Sequence, residues 1–322
     1  MISRQEMRHL IGEMLDGTMP ERDAIAHLTA LNPAAISIDQ LAGAADAVMQ
    51  RCVPFPAFPD ALDCCGTGGD GLHTLNISTA VAIVAAACGL RIAKHGNRAV
   101  SSKSGSADVL AALGVRTDAS PDQCASMLRE INLAFLFAPI FHPGFAKVAH
   151  IRKTIGQRTI FNLLGPLCNP AKPQRQLIGV FAQAQCGLLA QAAQMLGRTH
   201  LAVVHGDDGG DEISISTTTH CVEIIEGELS SSVLRPQDAG LHSYPANALQ
   251  GGDATTNAQA LRALLDGAEG AYADAAAINC AMLLLIADKV HTLEEGVLLC
   301  RSVIARGLAA RKLDQLIDAS NA

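Results

Sequence analysis

Two glycine-rich stretches in the first third of the chain carry the residue types that hold phosphate. Residues 66–71 read Gly-Thr-Gly-Gly-Asp-Gly, and Asn76, Ile77, Ser78 and Thr79 follow at the start of an apolar helical run. The second stretch begins Lys94, His95, Gly96, Asn97, Arg98, Ala99, Val100 and continues through Ser101, Ser102, Lys103, Ser104, Gly105 and Ser106. Backbone N–H groups at a helix start attract anions, and glycine lets the backbone close on a phosphate. Two such loops feeding one sheet point to a ligand with phosphate at both ends.

Each feature has a plainer rival. Residues 66–71 also fit the dinucleotide pattern G-x-G-x-x-G, but that fold wants an acidic residue about 20 positions on, at a strand end. Here the strand at 90–93 runs into Lys94 and His95, a cation where a carboxylate is needed. An N-cap needs one polar group, and Asn76, Ser78 and Thr79 supply three. The 94–106 stretch is otherwise a solvated polar loop; Lys94 is its better phosphate ligand and Lys103 its solvated cation. Asp211 and Glu212 follow the strand at 201–204. Adjacent carboxylates in a regular strand point to opposite faces. At a glycine-flanked turn they can converge on a hard cation such as Mg²⁺, or simply form a surface acidic turn. Asp207 and Asp208 leave charge alone unable to choose the pair. Arg152, on a short helix after His142 and Pro143, is either a surface residue or a fork that reads a carboxylate.

The elements that must position these groups are legible as patterns. Residues 2–15, 21–31 and 38–52 have helical spacing, with Ser37 or Asp39 as cap of the third. From residue 61, short apolar runs at 61–65, 90–93, 134–138, 177–181 and 201–204 alternate with helical stretches at 78–88, 106–113 and 186–196. Such alternation predicts a mostly parallel sheet covered by helices. Further strand candidates are 213–216 and 222–225. Short helices at 150–155 and 159–164 interrupt the alternation, and 258–265, 272–287, 292–306 and 308–317 read as helices. The fold class expected is α/β: a small all-helical domain, residues 1–58 plus about 143–172, and a larger α/β domain with a mostly parallel central sheet flanked by helices, residues 59–142 plus 173–322.

Composition narrows the classes. The 322 residues are 49% hydrophobic and only 3% aromatic, which favours close-packed helices on a sheet over a β-sandwich. A net charge of −7 without a basic stripe speaks against nucleic acid. No apolar run approaches a membrane span, and no signal-peptide core opens the chain. The ten cysteines contain no C-x-x-C pair, and Cys88, Cys186, Cys280 and Cys300 fall in apolar helical runs. They read as buried reduced thiols of a cytoplasmic protein.

Taken together, GTGGD at 66–70, NIST at 76–79, KHGNRAVSSKSGSAD at 94–108, RTIFNLLGPLCNPA at 158–171, DE at 211–212 and GGDATTNA at 251–258 resemble the anthranilate phosphoribosyltransferase family over the whole chain. The KHGNR block is the most specific of these. The resemblance implies transfer of a phosphoribosyl group from 5-phosphoribosyl 1-diphosphate to anthranilate in tryptophan biosynthesis, two Mg²⁺ ions per subunit, and a homodimer packed through the helical parts. It implies that Gly66, Gly69, Asp70, Thr74, Asn76–Thr79, Lys94–Ser102 and Ser106 hold the diphosphate substrate. Ser78, Asp211 and Glu212 would hold metal, and Gly66, Asn97 and Arg152 would contact anthranilate. Arg152, Asn97 and His95 are the implied catalytic residues. Two departures stand out. Gly144 and Phe145 follow His142-Pro143 where the family usually has a small residue and then Met, in the region implied to line the aromatic substrate's approach. Gly210 replaces the usual Leu, Ile or Met before the acidic pair and is expected to loosen that loop. A pyrimidine nucleoside phosphorylase and a non-catalytic nucleic-acid binder are the alternatives.

Overall fold

A computed structural model describes residues 2–99 and 103–322. Its centre is a seven-stranded sheet of β1 (Leu62–Cys64), β2 (Ile92–Gly96), β3 (Leu133–Phe137), β4 (Arg175–Gly179), β5 (His200–Gly206), β6 (Thr219–Ile225) and β7 (Glu228–Leu234). The order is β3-β2-β1-β4-β5-β6-β7. The first five are parallel, and β6 and β7 add an antiparallel edge. The order runs one way from β1 to β3 and the other way through β4 and β5. The carboxyl ends of β1 and β4 therefore flank a topological switch point, where open α/β sheets leave a crevice for ligands.

Alternation along the strands divides the core in two. On β5, Ala202 and Val204 join a core with the helices Ile77–Ala87, Ala271–Ile286 and Leu293–Ala305. Leu201 and Val203 face the other way, into a core with the helices Arg4–Asp16, Ile38–Gln50 and Cys186–Met195. The helices Arg4–Asp16 and Glu21–Ala30 also pack on Phe145–Ile155. Ser37 caps its helix with a capping box closed by Gln40, which decides between the two cap candidates.

The structure departs from the sequence expectation at three places. Residues 213–216 are not a strand: Asn279 holds both the Ile213 N–H and its carbonyl. Strand β7 carries Glu228, Ser230, Ser231 and Ser232 and is exposed along nearly its whole length, so it offers no apolar run to read. The helix Pro121–Glu130, with its Ser120–Gln123 capping box, is likewise absent from the expectation.

Candidate active site

The first glycine loop leaves β1 at the switch point. Gly68, Gly69 and Gly71 all have positive φ, between 62° and 81°, where a side chain would be strained. The loop is fixed from beneath. The Gly68 N–H donates to Asp211 Oδ2 at 2.7 Å, and the Thr67 N–H donates to the Gly179 carbonyl at 2.9 Å. Gly179 and Gly66 leave no room for a Cβ, which would lie 1.5 Å from the Asp211 carbonyl and 2.4 Å from Asp211 Oδ2 respectively.

Asn76 stands at the N-cap position of Ile77–Ala87 but makes no capping bond. Its amide donates to the Ser104 carbonyl at 3.2 Å and accepts from Asn257 Nδ2 at 2.9 Å. The Asn76 carbonyl accepts from the Tyr272 hydroxyl at 3.0 Å. Asn76 thus ties the first loop to the second and to the helices behind both. The segment after Gln250 straps Thr74 in place: the Gly251 N–H donates to the His73 carbonyl, and Asn257 accepts from the Gly252 N–H.

Lys94 ends far from the exposed part of its own loop. Its side chain is buried, at 3% exposure, and the ammonium donates to the Cys64 carbonyl at 3.0 Å and to Ser78 Oγ at 3.3 Å. Burial works against its charge, but Cys64, Cys65, Asp63 and Glu212 outweigh that and raise its pKa. Ser78 and Lys94 therefore meet at one helix start. Thr79 is buried, with no hydrogen-bond partner for its hydroxyl.

The four acidic residues of the β5 loop separate by geometry. Asp207 binds Thr218 and His220, and Asp208 binds Ser214 and the Gly210 N–H. Asp211 and Glu212 instead turn to the glycine loop and to the Ser78 backbone. Burial, then Asp70, raises Asp211 to about 6; burial, then Asp211, raises Glu212 to about 8. Two half-buried carboxyls whose ionisation is held back, beside a serine hydroxyl, form a hard-oxygen donor set of the kind that suits Mg²⁺. Gly210, expected to loosen this loop, is tied into it. Its carbonyl accepts from the Gly206 N–H, and a Cβ there would press Leu72 Cδ1 at 3.3 Å.

The second loop folds on itself. The Asn97 carbonyl accepts from Ala107 N–H and from Ser106 Oγ, both at 3.1 Å. Asp108 receives N–H groups from Ala99 and Gly105, each at 2.9 Å. The Asn97 side chain is exposed, with its amide oxygen taken by the Arg98 N–H. Gly96 is required, since a Cβ would lie 2.4 Å from Ser106 Oγ. Lys103 is exposed. Val100, Ser101 and Ser102 lie outside the described residues.

A row of rings runs from the second loop toward Arg152. His95 and His142 meet edge-on at 5.3 Å, His142 and Phe145 at 5.9 Å, and Phe145 and Phe161 at 5.6 Å. The Arg152 guanidinium sits over Phe161 at 5.5 Å. No carboxylate pairs with it among the described residues, and burial lowers its pKa. His95 Nδ1 is 3.1 Å from the Gly165 carbonyl and His142 Nε2 is 2.8 Å from the Cys168 carbonyl. A carbonyl only accepts, so both bonded nitrogens carry the proton. Each ring thus presents a bare nitrogen, His95 Nε2 and His142 Nδ1, with no partner among the described residues. Phe145 is an integral ring of this wall. Gly144 is where the wall meets the first helix, with Leu15 3.3 Å from its would-be Cβ.

Asp63 escaped the sequence reading. It is fully buried on β1 and accepts from the His95 N–H at 3.2 Å and Asn169 Nδ2 at 2.9 Å. Its signal was present: a lone carboxylate in the apolar run 61–65, just ahead of the glycine loop. Arg158 enters the sequence reading only as part of a motif; it donates to the Gly69 carbonyl and stacks on Phe181 at 4.1 Å.

A glycine loop, a buried lysine and a carboxylate pair gather at the carboxyl end of the sheet, an arrangement that can hold a sugar diphosphate. Residues 58–310 match the glycosyl transferase family, a/b domain, and the chain belongs to that class. Relatives named anthranilate phosphoribosyltransferase match over nearly full length. One from Rhodopseudomonas palustris (strain TIE-1) is 45% identical, covering 100% of this chain and 95% of its own. One from Novosphingobium aromaticivorans is 42% identical, covering 99% and 96%. The crystal structure of the Thermus thermophilus enzyme superposes with a TM-score of 0.94 at 38% identity, covering 99% of this chain and 96% of that one. The Saccharomyces cerevisiae enzyme, in complex with PRPP and Mg, gives 0.89 at 28% identity, covering 99% and 94%. Within the class, the chain belongs to the anthranilate phosphoribosyltransferase family.

Proposed function

We propose that this chain transfers the 5-phosphoribosyl group from phosphoribosyl diphosphate to the amine of anthranilate, releasing diphosphate, in tryptophan biosynthesis. The observation that carries the reading is the convergence of loop 66–71, Lys94, Asp211 and Glu212 at the carboxyl ends of β1, β2 and β5. The amine attacks the anomeric carbon, the bond to diphosphate oxygen breaks, and the carbon inverts. Positive charge develops on the ribose and negative charge on the leaving group, so catalysis is mainly electrostatic and positional. Loop 66–71 and the helix start at Ile77 face the diphosphate, with Lys94 behind them. The loop at 94–106 takes the 5′-phosphate, with Asn97 where sugar phosphate and acceptor meet. Arg152, the cation at the end of the ring row, fixes the acceptor's carboxylate so that the amine points at the sugar. The aromatic amine is neutral with its lone pair free, and no strong base is required.

Ser78, Asp211 and Glu212 are the residues that would hold Mg²⁺, two ions per subunit in this reading. When bound, the metal supplies charge stabilisation for the departing diphosphate. The helical segments 1–58 and about 143–172 act as one lobe and pair in a homodimer. The enzyme works in the cytoplasm; among the described residues, no helix is long and apolar enough to cross a membrane. Purified protein with Mg²⁺ and phosphoribosyl diphosphate should extinguish anthranilate fluorescence. Unchanged fluorescence, or turnover of thymidine with inorganic phosphate instead, overturns the assignment.

A further inference from the structure

Cys88, Cys280 and Cys300 come from three different helical elements, yet their sulfur atoms all lie within 4.8 Å of one another. Cys88 ends the helix Ile77–Ala87, Cys280 is in the middle of Ala271–Ile286, and Cys300 is in Leu293–Ala305. The last two helices cross very closely, since a Cβ on Gly296 would lie 2.5 Å from Ala281 Cβ. That crossing brings Cys280 and Cys300 together. Both are fully buried, and Cys88 is half-buried.

We propose that these three sulfurs form a binding site for one soft, low-coordinate metal cation of the Cu(I) type. No histidine or carboxylate joins the three among the described residues. Thiolates select soft cations, whereas structural zinc sites take four protein ligands. Three sulfurs sharing one ion at a metal–sulfur length of about 2.3 Å stand about 4 Å apart, so only a small inward shift is needed. Binding releases the thiol protons to solvent. The hard-oxygen set at Asp211 and Glu212 does not compete for such a cation.

The site lies at the opposite end of the helix whose start faces the substrate cleft. Asn279, beside Cys280, holds Ile213, the residue after the acidic pair. An occupied site therefore braces the helix from which Asp211 and Glu212 are hung.

Reduced protein, handled without oxygen, is titrated with Cu(I) held by a colorimetric chelator. The expected result is uptake of one Cu(I) per chain, an ultraviolet sulfur-to-metal charge-transfer band, and a rise in melting temperature. Cys88→Ser should abolish the band while circular dichroism and melting of the metal-free protein stay near wild type. Cys186→Ser, which removes a buried thiol outside the cluster, should bind as wild type does. Uptake that survives Cys88→Ser and Cys280→Ser, or no stoichiometric uptake by the wild type, overturns the proposal. Should Cys280→Ser fail to fold, Cys88→Ser alone decides.

Discussion

At the scale of single residues, the sharpest feature is a half-buried guanidinium without a carboxylate. A charged group held off from water wants a partner, and among the described residues Arg152 has only a ring face. Arg152→Ala should raise the KM for anthranilate by about tenfold or more, the scale of ~1.5–3 kcal/mol for a hydrogen bond to a charged group. The KM for phosphoribosyl diphosphate should hardly move; equal changes in both would return Arg152 to a structural role. Asp211→Asn with Glu212→Gln should shift the Mg²⁺ dependence of turnover to higher concentration, and an unaltered titration would leave the pair as a surface turn. The two buried histidines make a stability prediction. Burial lowers His95 to about 4 and His142 to about 3 from an ordinary 6.5. Below pH 6.5 the unfolded chain binds histidine protons that the folded one refuses, so the histidines' contribution is full above that pH and is lost as pH drops toward 4, while the raised carboxyls of Asp211 and Glu212 slope the other way. Each histidine contributes up to about 1.4 kcal/mol per pH unit. Urea unfolding of His142→Gln beside the wild type should give slopes across this window that differ by about one proton. An unchanged slope would mean that the His142 ring is charged or wet.

At the scale of elements, close approach governs what the sequence could disclose. The parallel strands announced themselves as apolar runs because both faces are buried. Strand β7 did not, because it is a polar edge paired only with β6. Residues 213–216 misled for the opposite reason, being apolar but held by Asn279 in place of a neighbouring strand. The glycine loops were legible through their composition, but Gly179 was not, since its need arises from Asp211 crossing above it. Gly179→Ala would drive a Cβ to 1.5 Å from the Asp211 carbonyl. Backbone must move, and the expected cost is at the upper end of the ~1–3 kcal/mol typical of overpacking, or beyond it. Activity should fall with it, because the same shift displaces the acidic pair. Gly165→Ala meets nothing within 4 Å and should leave the melting temperature unchanged. Equal effects of the two substitutions would refute the packing argument.

For the whole molecule, the sequence disclosed which groups belong to the site but not which of them meet. In the sequence Asp207 and Asp208 are carboxyl residues like Asp211 and Glu212, and only the fold, by giving Asp207 to Thr218 and His220, separates them. Long-range closure of the same kind joins the helical segments to the sheet. Leu41, Val148 and Leu163 from the helical segments share one buried core with Leu189, Leu201 and Ile224 from the sheet and its covering helix. A lobe whose apolar residues run on into the core beneath the sheet has no separate core to fall back on. The helical segments and the sheet should therefore unfold together, giving one calorimetric transition. Leu189 is fully buried at this junction. Leu189→Ala should cost about 2–5 kcal/mol, as large-to-small core substitutions do, and it should lower that single transition without splitting it. Two transitions in the wild type, or a variant in which one part melts early while the other keeps its temperature, would show that the helical lobe is an independent folding unit.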